Sequence, residues 1–288
     1  MKQSLSGSLP GRSKSPGKRV LPGFALSLGI SLFFISVVLL LPVTGLIMQT
    51  SGMGLEQYWA VITDERVVAS YKVTLWAAGL ASLINGVLGL LLAWVLVRYD
   101  FPGKRLMDAL IDLPFALPTA VAGITLTALF APGGWYGQFF ATMGIKVAFT
   151  PLGIIVAMSF TSLPFVVRTV QPVLEDLAPE DEEAAVSLGA SDLTVFRRIL
   201  FPAMWPALMT GVALSFTRSL GEFGAVIFIA GNMPYVSEII SLMIFVRLQE
   251  FDYPAASAIA SVVLMVSLVL LLAINLWQAR YLRRLHGR

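Results

Sequence analysis

Glu183-Ala184-Ala185-Val186-Ser187-Leu188-Gly189, followed ten residues on by Ile199 and then by Pro202, is a polar, acid-flanked insert in a chain that is otherwise mostly lipid-soluble. Pro179 suits the first position of a helix, where its missing N–H is no loss. Glu180, Asp181, Glu182 and Glu183 follow it, and negative charge in a first turn meets the positive end of the helix dipole, at about 0.3–1 kcal/mol each. Ala184, Ala185, Val186 and Leu188 carry that helix to Gly189, a natural left-handed stop. Ser191 is placed to cap a second short helix that ends near Arg197 and Arg198 and leads to Pro202. Taken alone, helix, glycine turn and helix describe either a surface built to be gripped or an ordinary solvated loop.

On both sides of this insert, residues 174–202, the chain is apolar. Of 288 residues, 57% are hydrophobic and 13% charged, where soluble domains carry about 25% charged residues. Uncharged runs cover 20–55, 73–97, 113–145, 147–167, 199–217 and 253–279. About 20 such residues cross the hydrocarbon core as a helix, and lipid offers no partners to open backbone groups. The pattern predicts an all-α integral membrane protein with six spans, near 22–48, 72–97, 108–131, 151–172, 203–231 and 255–279.

Basic residues orient the spans. Lys2, Arg12, Lys14, Lys18, Arg19, Arg98, Lys104, Arg105, Arg197, Arg198, Arg280, Arg283, Arg284 and Arg288 fall on one side, against Arg66, Lys72, Lys146 and Arg247 on the other. Both termini are therefore expected in the cytoplasm, with 1–19 a disordered basic tail, 20–280 the membrane domain and 281–288 a short tail. The apolar stretch after Arg19 exceeds a 7–15-residue signal core, so an uncleaved first span is expected. A net charge of +3 is this topological bias, and nothing suggests a nucleic-acid surface. With no cysteine and only His286, thiolate chemistry and metal clusters are excluded. No nucleophile–base pair suggests an embedded enzyme. The stretch from Gly11 to Gly17-Lys18 has five intervening residues, and Arg19 stands where a phosphate loop needs Ser or Thr.

Within the fifth expected span, 214–224 reads Leu-Ser-Phe-Thr-Arg-Ser-Leu-Gly-Glu-Phe-Gly. At helical spacing Ser215, Arg218, Ser219 and Glu222 share one polar stripe, while Thr217, Gly221 and Gly224 share a small-residue face suited to close packing. Arg218 and Glu222 are four apart and can pair. Each intramembrane charge costs roughly 2.5–3.5 kcal/mol on insertion scales, so the pair is expected to face a bundle interior or water. It either fixes helix register, or it places Arg218 and the serines along the path or gate of an anion. A guanidinium offers paired donors to a tetrahedral oxyanion.

Asp108 and Asp112 are expected to open the third span as acids at a helix start. Arg168 is expected to snorkel from the inner end of the fourth span, and Pro114 and Pro118 to kink the third. Residues 236–249 are expected to form an external interfacial helix, a reasonable docking site for a soluble protein. Most tryptophans fall near span ends, as interfacial belts do.

The spacing from Glu183 through Gly189 to Ile199 and Pro202 resembles the coupling loop of ABC importer membrane subunits, with Phe201 where that family usually has Leu. Ser215 to Ala225, continuing through Phe228 to Asn232, is similar to the sulfate and molybdate permeases of that group. Leu117 to Gly123, Phe165 to Pro172 and Ser241 to Ala255 resemble the T-type (also called U-type) subunit of bacterial sulfate/thiosulfate importers. The resemblance implies the type I ABC importer permease fold in a bacterial inner membrane, moving sulfate or thiosulfate inward. Glu183, Ala184, Ala185 and Gly189 would dock on an ATP-binding cassette ATPase dimer that holds ATP and Mg, leaving no cofactor and no catalysis on this chain. A homologous W-type permease and a periplasmic sulfate/thiosulfate-binding protein would complete the machine. Molybdate or tungstate is the alternative cargo. A proton-coupled anion transporter using Arg218 and Glu222 as a relay is the alternative mechanism.

Overall fold

A computed structural model describes residues 24–286; the expected basic tail, 1–19, lies outside the described residues. Every regular element among the described residues is a helix. It divides into two compact units, one ending at Leu46 and a larger one from Ile47 onward. The first holds most of α1 (Phe24–Ser51), an apolar helix with a π turn at Ser36–Leu40 and no buried residue.

In the larger unit, α2 (Leu55–Ile62) leads to α3 (Glu65–Arg98), whose N-cap Asp64 accepts from the amides of Arg66 and Val67. The third expected span is not one helix. It is divided into α4 (Lys104–Ile111), α5 (Leu113–Ala116) and α6 (Thr119–Phe130). Leu117 is extended (φ −85°, ψ 136°) because proline disfavours the helical conformation of the residue before it. Pro118 then opens α6 without an N–H to donate. So Pro118 breaks this span where a kink was expected. After α7 (Trp135–Thr142), α8 (Pro151–Glu175) runs unbroken through Pro164 and Pro172.

The insert begins with α9 (Pro179–Ser187) and continues into α10 (Asp192–Leu220). Here the structure corrects the expectation of a second short helix: Asp192 to Leu220 is one continuous rod with a π turn at Phe196–Leu200. Pro202 cannot donate to the carbonyl four residues back, and the extra residue of a π turn just before it absorbs the mismatch. The fifth span also ends earlier than expected, at Leu220; a non-helical segment follows, then α11 (Val226–Ile229). Last come α12 (Ile240–Gln249) and α13 (Tyr253–His286).

Among the described residues five helices, α1, α3, α8, α10 and α13, are long and apolar enough to cross a membrane. Packing centres on α3, α8 and α10. Glycines set their approach: a Cβ on Gly89 would meet Val166 at 2.7 Å, and one on Gly211 would lie 2.8 Å from the Val166 Cα. Small residues at such crossings replace the hydrophobic drive that lipid removes. One core joins Ala77, Ala78, Ile154, Met158, Val226 and Ile229; a second, beside the insert, joins Ala93, Leu96, Val166, Val170, Val195 and Met204.

Candidate functional site

The insert presents its motif outward. No residue of α9 is buried, and Gly189 takes the left-handed conformation at φ +85°. The turn closes as Gly189 N–H donates to Val186 O (2.9 Å) and Ala190 N–H to Ala185 O (3.0 Å), satisfying carbonyls that a helix end would otherwise leave open. A Cβ on Gly189 would meet only open space, so the backbone angle alone requires glycine there. Ala185 and Ala190 lean on the core below, whereas Glu183 and Ala184 face out. Beside them stand Val186 (55% exposed), Leu188 (88%) and Leu193 (65%). These exposed apolar side chains stand among the outward-facing carboxylates of Glu180, Asp181 and Glu183. Ser191 precedes α10 without capping its backbone; its hydroxyl lies 2.9 Å from Thr194 Oγ1.

At the far end of α10 the four polar residues of the stripe separate into two environments. Ser215 and Ser219 are fully buried and donate to Ser162 Oγ at 2.9 and 3.1 Å. Asn85 Nδ2 reaches Ser162 Oγ (2.9 Å), Ser215 Oγ (3.1 Å) and the Ser159 carbonyl (3.1 Å), tying α3, α8 and α10 together. Two amide protons serve three acceptors, so one is shared. Arg218 keeps 33% of its side chain exposed, while Glu222 keeps 1%. Their contact, Nη1 to Oε2 at 2.8 Å, is an ion pair rather than a well-directed hydrogen bond. The other carboxylate oxygen accepts from the Ala225 amide at 3.0 Å, so Glu222 both neutralises Arg218 and holds the broken backbone.

Gly221 and Gly224 lie in the break, not on the helical face expected of them with Thr217. Gly224 alone serves close approach, since a Cβ on Gly221 would find only the Arg218 carbonyl at 3.9 Å. The broken segment 221–225 rests against the start of α6: a Cβ on Gly224 would meet the Thr119 hydroxyl and lie 3.0 Å from Thr119 Cβ. Two interrupted spans therefore meet at their interruptions, with Arg218 beside them. Irregular backbone at membrane depth is tolerated where it is buried in protein or lines a cavity.

The family model of the binding-protein-dependent transport system inner membrane component matches residues 85–287. The chain belongs to that family. This permease is 66% identical to the sulfate transport system permease protein CysT of Salmonella typhimurium LT2, over 94% of its own length and 98% of the relative's. It is 64% identical to CysT of Escherichia coli K12 over the same shares, and 49% identical to CysT of Synechocystis over 88% and 89%. In fold it is similar to a bacterial ABC transporter that imports the polysaccharide alginate, with TM-score 0.74, 19% identity and coverage of 89% and 94%. The permease is thus a multi-pass membrane component of a transporter.

Three charge pairs in this permease differ from expectation or escaped it. Arg168 has carboxylate partners. Its Nε and Nη2 grip Asp112 (2.9 and 2.6 Å), and Nη1 reaches Asp108 (2.7 Å) and Gln171 (2.7 Å). Asp108 lies inside α4, and Asp112 precedes α5 without a side-chain cap; both carboxylates are turned to Arg168, since a guanidinium with carboxylates in reach satisfies its donors there. Arg66 makes a two-pronged contact with the nearly buried Glu238, at 2.8 and 2.7 Å. The helix expected at 236–249 begins at Ile240 and buries Ile240, Leu242 and Met243 against the body, so it is packed rather than merely interfacial. Asn85 is the one amide in its apolar run, a signal that pattern reading passed over.

Proposed function

We propose that this permease is half of the pore of an ATP-driven importer that carries sulfate or thiosulfate from periplasm to cytoplasm across a bacterial inner membrane. The observation that carries the reading is one continuous helix, α10, which begins at the exposed Glu183–Gly189 insert and ends at the Arg218–Glu222 pair. The high identity to sulfate permeases over nearly the whole chain supports the cargo. The pattern of basic residues supports cytoplasmic termini and six crossings, the third of them through the broken segment around Pro118.

In this reading an ATPase dimer holds ATP and Mg and grips Glu183, Ala184, Leu188 and their neighbours. A W-type permease supplies the other half of the pore, and a periplasmic binding protein delivers the anion. When the motor closes, the insert moves, α10 moves with it, and the segment 221–225 shifts against α6. Arg218 provides the cationic donors that an oxyanion needs on its way through. Ser215 and Ser219 keep α10 in register with α8, and Glu222 keeps Arg218 in place.

Labelled sulfate uptake in cells lacking this chain, and again with it restored, tests the reading. Restored uptake that unlabelled sulfate and thiosulfate suppress supports it; suppression chiefly by molybdate changes the cargo. Glu183→Lys is expected to insert normally yet lose the ATPase from the purified complex, and normal transport by that variant would refute the coupling role.

A further inference from the structure

The insert would be useless if it moved without moving the spans. α8 and α10 lead into the insert from either side, but α3 is a separate helix and needs its own attachment. At the last residue of α3, the guanidinium of Arg98 bonds Glu182 of α9. It lies over the Trp94 ring one turn back, 5.3 Å from its centroid. Trp94 meets Phe196 edge-on, with centroids 5.5 Å apart at 78°. Phe196 opens the π turn of α10 and continues through Phe201 (5.9 Å) to Trp205 (5.4 Å).

The end of α3 therefore grips both arms of the insert, α9 by charge and the π turn by aromatic packing. The Arg98 and Glu182 side chains keep only 26% and 24% of their surface. An ion pair this far withdrawn from solvent, whose cation also covers an aromatic face, holds its geometry better than an exposed pair. Glu182 is the one acid of the 180–183 run that points inward; Glu180, Asp181 and Glu183 face out. A π turn is a local weak point in a helix and is frequent at functional sites. This one lies where force from the insert enters the span.

We infer that Arg98 and Trp94 are positioning residues for transport: they form a strut that makes α3, and through it the α3–α8–α10 unit, follow the insert during the ATPase cycle. The inference rests on the coupling reading above. It adds which residues at the end of α3 receive the movement, and it separates holding the motor from transmitting its work.

The test uses the importer purified by a tag on this chain, reconstituted in liposomes with its binding protein, and reads labelled sulfate moved per ATP hydrolysed. Arg98→Ala is expected to retain the ATPase subunits but lower that ratio about tenfold, within the 5–150-fold span of typical coupling between sites. Arg98→Glu and Glu182→Arg are each expected to be as poor, and the reversed pair together to recover most of the ratio. Arg98→Lys keeps charge but loses the flat face over Trp94, and is expected to fall between. An unchanged ratio in Arg98→Ala overturns the strut, as does a reversed pair no better than its single members. Loss of the ATPase in Arg98→Ala also overturns it, since Arg98 would then hold the docking surface itself. Glu183→Lys run beside these separates the two ideas: if it keeps its ATPase and its ratio, the coupling reading fails, whatever Arg98 does.

Discussion

Gly123 lies so close beneath Ala225 that a methyl group on it would sit 2.5 Å from the Ala225 carbonyl oxygen and 2.8 Å from its Cα. The broken end of the fifth span is thereby pressed onto α6 backbone to backbone, and no rotamer change can relieve an added carbon. In an open helix Gly→Ala gains roughly 0.5–1 kcal/mol, but overpacking costs about 1–3 kcal/mol, and here the second effect wins. Gly123→Ala is expected to lower the melting temperature of the solubilised complex and to depress transport. Gly224→Ala, which meets the Thr119 side chain first, should lose less. Gly79→Ala, with nothing within 4 Å, should be neutral or stabilising. Equal melting temperatures for the Gly79 and Gly123 variants would sink the close-contact argument.

Two arginines that fall on the same side of the membrane by the charge pattern should differ sharply. Arg66 pairs with Glu238, whose side chain is 3% exposed, whereas Arg247 pairs with Glu250, which is 51% exposed. Removing the partner of a buried charge costs about 3–5 kcal/mol, less here because Arg66 itself is one-third exposed. An exposed pair is worth about 0–1 kcal/mol. Thermal unfolding of Arg66→Ala is therefore expected several degrees below that of Arg247→Ala. Arg66→Ala combined with Glu238→Gln should recover part of the loss, since the stranded charge is gone.

Asn85 offers a sign test of the polar cluster. Interhelical hydrogen bonds in membranes average about 0.6 kcal/mol and reach about 1.7, so Asn85→Ala should cost on the order of 1–2 kcal/mol. Asn85→Asp keeps the shape but turns a carboxylate oxygen toward the Ser159 carbonyl and charges the interior, at roughly 2.5–3.5 kcal/mol. The aspartate variant is expected to be the less stable of the two in detergent. The reverse order would mean that the cluster holds a cation or a proton that the amide does not need.

These residues also show what could be read from the chain beforehand. The insert was legible because proline, acids and glycine act locally: Pro179 opens α9, and Gly189 stops it at φ +85°. The spans were legible because apolar runs must become helices in lipid. Their interruptions were only half visible. Pro118 announces itself, but Gly221 to Ala225 looks like more helix, and its break is held by the local bond from the Ala225 amide to Glu222 and by contact with α6, a partner distant in sequence. The same holds for Arg168, whose carboxylates are 56 and 60 residues away. Periodicity could place Ser215 and Ser219 on one face with Arg218, but only packing decides that the serines turn inward to Ser162 while Arg218 keeps an open side.

That division makes Arg218 and Glu222 separable by experiment. Arg218→Ala strands a carboxylate that is 1% exposed, which on general grounds costs about 3–5 kcal/mol. Arg218→Ala with Glu222→Gln removes the charge but keeps an oxygen for the Ala225 amide, so its melting temperature should return towards that of the unaltered permease. Sulfate uptake should not return with it, because the stable double variant still lacks the guanidinium. Arg218→Lys should fold well, since it restores the charge, yet transport less, since an ammonium is a point donor rather than a planar fork. If the double variant regains both stability and uptake, Arg218 serves only to neutralise Glu222, and the anion takes its charge partner elsewhere along the path.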